Sequence, residues 1–327
     1  MMAMQEQDAL CFPLLVNASC RKMQRPPSAA ALSFMLLSAI SLITFTLNLL
    51  VIISISHFKQ LQTPTNLLLL SLATSDFLVG FLVLFQIFLL DGCWFFGDSM
   101  CVAYHVLNYV ITSASIGSMV LISVDRYLAI CDSLRYPIKV TQLRVKICVF
   151  LCWSASLVFQ CFCFLNSLKQ PGRFNACVGE CVVVVTYAVG MTDLFFSFIG
   201  PLTVIVFLYM RVFVVAMSHA RATRSHMGIV TERSTTIKSS ELKAARTLGV
   251  VVVVFIACIM PYFCIVISGQ EVVLNASSAA LIISLFYFNS CLNPLIYAIF
   301  YPWFRRSIKI IVTLQILKAD SSQANIM

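Results

Sequence analysis

Residues 67–90 read LLLLSLATSDFLVGFLVLFQIFLL, an apolar run broken by one charged side chain, Asp76. Wound as an α-helix at about 1.5 Å per residue, the run is long enough to cross the roughly 30 Å of hydrocarbon in a bilayer. The same kind of run recurs on either side of it, and seven spans are expected at about 30–56, 64–90, 100–130, 144–167, 183–217, 242–268 and 277–301. The connections are short and leave no length for a separate soluble domain. The expected fold class is therefore an all-α membrane protein. A seven-transmembrane helix bundle over 30–301 is preceded by an extracellular tail, 1–29, and followed by 302–327. In that last stretch Phe304, Ile308, Ile311 and Leu314 share a face opposite Arg305, Arg306 and Lys309. This is the pattern of a short amphipathic eighth helix lying on the inner leaflet, with membrane lipid as its partner.

Composition agrees. Of the 327 residues, 60% are hydrophobic and 11% charged, against about a quarter charged in soluble domains. The formal charge of +9 does not point to nucleic acid, because the basic residues are distributed as a membrane protein needs them. Lys59, Arg126, Arg135, Lys139, Arg144, Lys146, Arg211, Arg305, Arg306 and Lys309 all fall on one side of the predicted spans, which is then cytoplasmic. The N-terminus is expected outside and the C-terminus inside, although Arg21, Lys22 and Arg25 locally run against the rule. Two sequons agree: Asn17-Ala18-Ser19 in the tail, where Asn17 is the expected glycosylation site, and Asn275-Ala276-Ser277, close to the membrane. The start lacks the charged and apolar regions of a signal peptide, so no cleavage is expected and the first span would direct insertion.

A carboxylate at membrane depth is costly unless it meets a cation, a proton or hydrogen-bond donors, so each one carries a functional expectation. Two qualify, Asp76 and Asp193. The second lies eight residues before Pro201, about two turns to its outer side, where a helix can face a ligand cavity. At the inner end of span three stands Asp125-Arg126-Tyr127, and Pro261 removes a backbone hydrogen bond inside span six, supplying a hinge. Cys11, Cys20, Cys93, Cys101, Cys177 and Cys181 fall on the oxidising side and can form disulfides whose pairing the spacing leaves open. The repeats and broken helices of transporters and the charge rings of channels are missing, and four scattered histidines offer no catalytic cluster. No catalytic residue is expected.

Asp125-Arg126-Tyr127 alone is a weak signal. In company with Asn48, Leu72-Ala73-Thr74-Ser75-Asp76, Trp153, Pro201, Pro261 and Asn293-Pro294-Leu295-Ile296-Tyr297, it makes the chain resemble the rhodopsin-like G-protein-coupled receptors over nearly its whole length. Asn289-Ser290-Cys291-Leu292-Asn293-Pro294, continuing to Tyr301-Pro302-Trp303-Phe304, narrows this. It looks like the fingerprint of the trace amine-associated receptors, and His57–Asn66 and Cys93–Asp98 are similar to that family too.

The resemblance implies a plasma-membrane receptor of olfactory sensory neurons for a small-molecule amine, coupled to a heterotrimeric G protein of the stimulatory, cyclic-AMP-raising type. It implies disulfides Cys101–Cys181 and Cys20–Cys177, leaving Cys11 and Cys93 unpaired or as alternative partners. Most aminergic relatives place the amine-binding Asp eighteen residues before the Arg of the span-three motif, but Asn108 stands there. Some fish-type members carry it on span five, a position that Asp193 matches. A monoamine is then favoured over a diamine, with Asp193, Asn108, Tyr109, Thr112, Tyr262, Phe263 and Tyr287 as ligand-binding residues. The same resemblance makes Asp76, Ser115, Asn289 and Asn293 an allosteric sodium site, with a water-bridged hydrogen-bond hub as the alternative. No other cofactor is expected. The G-protein switch would comprise Asp125, Arg126, Tyr127, Tyr209, Glu241, Asn293, Pro294 and Tyr297. One departure bears on signalling: Ile259 stands where the family has its switch Trp, which allows an amine-binding receptor with weak or no G-protein coupling.

Overall fold

In a computed structural model of the chain, residues 10–22, 26–225, 249–264, 276–318, 321–324 and 326 are described. They form helices α1 (Pro27–His57), α2 (Pro64–Asp91), α3 (Asp98–Cys131) and α4 (Gln142–Cys163). The fifth, α5, runs in three pieces, an α-helix Tyr187–Leu194, a π-turn Phe195–Ile199 and an α-helix Gly200–Ser225. Then come α6 (Gly249–Cys264), α7 (Ala276–Phe300) and α8 (Pro302–Val312). Six of these are long and apolar enough to cross a membrane, and α6 is a shorter apolar helix within the described residues. The architecture is the seven-helix bundle with a short eighth helix that the apolar runs predict.

Local chemistry sets the helix ends. Pro64 at the first turn of α2 needs no donor there, and the Thr63 hydroxyl accepts the Asn66 N–H at 3.3 Å. Gly92, at φ 74°, ends α2 in the left-handed conformation that glycine adopts without strain. Pro201 cannot donate to Ser197, and the π-turn just before it takes up the misfit. Three expected limits shift. Residues 183–186 are extended rather than helical, and the Val182 N–H donates to the Asn175 side chain. Span four stops at Cys163, and the chain resumes as a separate turn, Leu165–Lys169. Leu314 lies beyond α8, at φ 56° and exposed, so the apolar face of α8 ends at Ile311.

Apolar side chains gain little by leaving lipid for protein, so cohesion rests on close packing and interhelical hydrogen bonds, each worth roughly 0.6 kcal/mol. A Cβ on Gly80 would meet the Phe45 backbone nitrogen at 2.9 Å, and one on Gly117 the Cys152 sulfur at 2.3 Å, so glycine permits both helix crossings. Ser41 Oγ donates to the Gly80 carbonyl (2.6 Å), and Trp153 Nε1 donates to Ser71 Oγ, itself bonded to Ser118. Pro294, inside α7, leaves the Ser290 carbonyl without its helical donor. Asn48 Nδ2 supplies one from α1, at 3.0 Å. Large apolar side chains of α4 and α5, such as Phe150, Phe162, Phe196 and Phe207, point outward, as a lipid-facing surface requires.

The outer end is cross-linked. Cys101 is bonded to Cys181, Cys20 to Cys177, and Cys11 to Cys93. The last pair replaces the expectation of two leftover cysteines, because the tail doubles back: the Cys11 N–H donates to the Cys20 carbonyl, and Phe12 packs edge-on against Phe95. Tail, first outer loop and second outer loop thereby form one cap.

Candidate ligand site

Beneath the cap lies a cavity of about 480 Å³, within the usual range for small-molecule sites. Its wall is built from α2 to α7 together with Val185 and Thr186 of the extended segment before α5. Asp193, Asn108, Tyr109, Thr112, Tyr262, Phe263 and Tyr287 all line it. Asp193 is the one carboxylate among the described lining residues. Two donors converge on its Oδ1, Gln160 Nε2 from α4 and Ser197 Oγ from the π-turn, both at 2.7 Å. Gln160 is fully buried, and its own Oε1 has no partner among the described residues. The bonds orient the carboxylate and leave Oδ2 without a hydrogen bond from the described residues.

Aromatic rings shape the rest. Phe263 stacks on Phe198 with centroids 3.8 Å apart and 11° between planes, Tyr262 packs on Phe286, and Tyr109 on Phe164. On the α2–α3–α7 wall the hydroxyls of Tyr104 and Tyr287 both donate to Gln86 Oε1, at 2.7 and 3.2 Å. Ile259 is buried in the cluster containing Ile116, Leu194, Phe198 and Phe255. Gln160, Ser197, Gln86, Tyr104 and His105 were not anticipated. Gln160 and Gln86 had a legible signal, each being a lone amide in the outer half of an apolar span.

Deeper in the bundle, Asp76 is wholly buried, and its Oδ2 accepts from Asn293 Nδ2 at 2.7 Å. Asp76 Oδ1, Asn289 Oδ1 and Asn293 Oδ1 are buried oxygens with no hydrogen-bond partner among the described residues. Ser115 is buried on α3. Oxygen atoms without donors are the ligand type a hard cation prefers, so the chemistry of these oxygens suits sodium.

At the inner end, Arg126 pairs with Asp125, with Nε 3.0 Å from Oδ2, and its Nη2 donates to Thr65 Oγ1 at 2.7 Å. Tyr136 of the loop after α3 donates to Asp125 Oδ1 at 2.7 Å. Burial, reinforced by the neighbouring Asp125 charge, pushes the Tyr136 hydroxyl up to about 12. Thr65 and Tyr136 are unanticipated members of this cluster. Tyr297 is buried, Tyr127 and Tyr209 half-buried, and Pro294 lies within α7. Glu241, like the sequon Asn275, lies outside the described residues. Asn17 is exposed on the tail.

The family model for the seven-transmembrane receptors of the rhodopsin family matches residues 47–297. The chain is 36% identical to trace amine-associated receptor 13c of Danio rerio over 98% of both chains. It is 34% identical to trace amine-associated receptor 4 of Mus musculus, over 97% of this chain and 94% of that one. The chain belongs to the trace amine-associated receptors. Against trace amine-associated receptor 1 of Macaca mulatta the identity is 36%, over 95% of this chain and 96% of the relative. This receptor is accordingly a multi-pass plasma membrane protein of the G-protein-coupled class, not an enzyme. Its family implies a small-molecule ligand and a heterotrimeric G protein as partners.

Proposed function

We propose that this receptor detects an amine whose ammonium pairs with Asp193, and that it raises cyclic AMP through a stimulatory G protein of olfactory type. The observation carrying the reading is the position of Asp193 as the one carboxylate among the described residues of the cavity wall, opposite an α3 that offers Asn108 in place of an acid. Oδ1 is held by Gln160 and Ser197, and Oδ2 is left for an incoming donor. A desolvated ammonium–carboxylate contact is strong where further hydrogen bonds orient the acid. Tyr262, Phe263, Tyr109, Thr112 and Tyr287 would enclose the remainder of the ligand.

The accessory roles follow from the same reading. Asp76, Ser115, Asn289 and Asn293 would hold sodium, a closed-shell charge that supports the bundle without entering any chemistry. Arg126, released from Asp125, would meet the G protein as Tyr209 and Tyr297 turn inward, with Tyr127, Glu241, Asn293 and Pro294 completing the switch. The N-terminus would lie outside with Asn17 glycosylated, and Cys101–Cys181 and Cys20–Cys177 would hold the second outer loop over the cavity. A second reading, amine binding with weak G-protein coupling, is favoured by Ile259, whose buried aliphatic side chain has no ring to swing.

The test is a cyclic-AMP reporter assay of an amine panel on the parent receptor, Asp193→Ala and Asp193→Asn at matched surface expression. Responses that both variants lose support the pairing, and undiminished responses in both would sink it. Amine binding without a cyclic-AMP signal would favour the weakly coupled reading.

A further inference from the structure

Resting on the amine reading, a second recognition element stands on the wall that α2, α3 and α7 contribute. We propose that this wall reads a hydroxyl, so that the ligand is a hydroxyl-bearing monoamine rather than a plain alkylamine or a diamine. The argument is an inventory of donors and acceptors. The protons of Tyr104 and Tyr287 are both directed at Gln86 Oε1, and the two phenol oxygens stand 3.4 Å apart. Asn108 and Tyr287 line the same cavity. Three buried atoms of cavity-lining residues have no hydrogen-bond partner among the described residues: Gln160 Oε1, on α4 beside Asp193, and on α3 the two that face this wall, Asn108 Oδ1 and His105 Nε2.

A buried acceptor without a donor is unfavourable, and a ligand that brings the donor gains what an apolar ligand forfeits. An alkyl chain laid against this wall would seal Asn108 Oδ1 away from water unmet. A second ammonium would donate to it, but the described lining residues hold no carboxylate besides Asp193, so its charge would be desolvated without compensation. A hydroxyl is neutral, donates to Asn108 Oδ1, and accepts from His105 when Nε2 carries the proton. Sites that hydrogen-bond a hydroxyl discriminate strongly against the analogue lacking it.

The inference is tested by thermal-shift titration of the purified full-length receptor with hexylamine, aminohexanol and diaminohexane, which needs no G-protein coupling. Aminohexanol should bind about tenfold tighter than hexylamine, one net hydrogen bond's worth of discrimination, with diaminohexane weaker than aminohexanol. In Asn108→Leu the ratio of aminohexanol to hexylamine affinity should fall to about one, and Asn108→Ser should retain part of it. Should Asn108→Leu not yield folded receptor, His105→Phe and Asn108→Ser make the same comparison. Equal affinities in the parent, or a hydroxyl preference undiminished in Asn108→Leu or, in its place, in both His105→Phe and Asn108→Ser, would overturn the inference while leaving the amine reading intact. If Asp193→Asn leaves hexylamine binding unchanged, or if none of the three probes shifts the melting temperature, the amine reading fails and the hydroxyl inference falls with it.

Discussion

Asp76 and Asp193 are the same functional group in neighbouring parts of one bundle, and their surroundings prepare them for opposite partners. Asp76, fully buried, meets one donor from Asn293 and lies in a region with orphaned oxygens of Asn289 and Asn293. That excess of acceptors suits a small hard cation. Asp193, half-buried at the edge of a cavity, has one oxygen saturated by Gln160 and Ser197 and the other left bare. That asymmetry suits a larger donor arriving from outside. The difference lies in the neighbours, since a carboxylate's role follows from the balance of donors and acceptors around it.

The largest expected effect comes from breaking the outer half of this contrast. Asp193→Asn should weaken amine potency by about a hundredfold or more, measured as the concentration for half-maximal cyclic-AMP response, because it removes one partner of a desolvated charge pair. Next, Asn108→Asp gives the α3 wall a charge of its own. The response to a diamine relative to a monoamine of equal length should rise roughly tenfold or more, and an unchanged ratio would mean that α3 does not reach the ligand. Asp76→Asn targets the inner half: agonist affinity, measured in sodium and in a bulky-cation buffer, should lose a salt dependence of about fivefold while amine selectivity stays as in the parent. The smallest effect, about threefold in affinity by ligand-binding titration, is expected from Ser197→Ala, which removes one of two orienting hydrogen bonds and leaves the charge in place.

Much of this was legible in the chain. Apolar runs of about bilayer length predict the bundle, and Thr63-Pro64 and Gly92 mark the ends of α2 where they are found. The predicted ligand residues all line one cavity, because a helix repeats every 3.6 residues and spacing from Pro201, Pro261 and Arg126 sets which face each occupies. Gln160, Ser197, Thr65 and Tyr136 were not legible as partners of Asp193 and Asp125, since three of the four act from a different segment and spacing along one helix says nothing about its neighbours. Ser197 acts from the π-turn within α5, a local irregularity that an ideal helical repeat does not foresee. The Cys11–Cys93 bond was hidden for the same reason: it depends on the tail folding back onto the first outer loop.

By itself, then, the amino-acid sequence determined the membrane setting, the number of spans, the family, and the presence of two deep carboxylates with Asn108 where an acid is usual. These are properties of composition and of order along the chain. Only the tertiary structure decided what each carboxylate faces: that Gln160 and Ser197 hold Asp193 by one oxygen, that the oxygens near Asp76 lack donors, and that Asn108 Oδ1 and His105 Nε2 are left unmatched in the cavity wall. Hydrogen bonding acts over about 3 Å, and which groups come that close is settled by helix packing rather than by sequence distance.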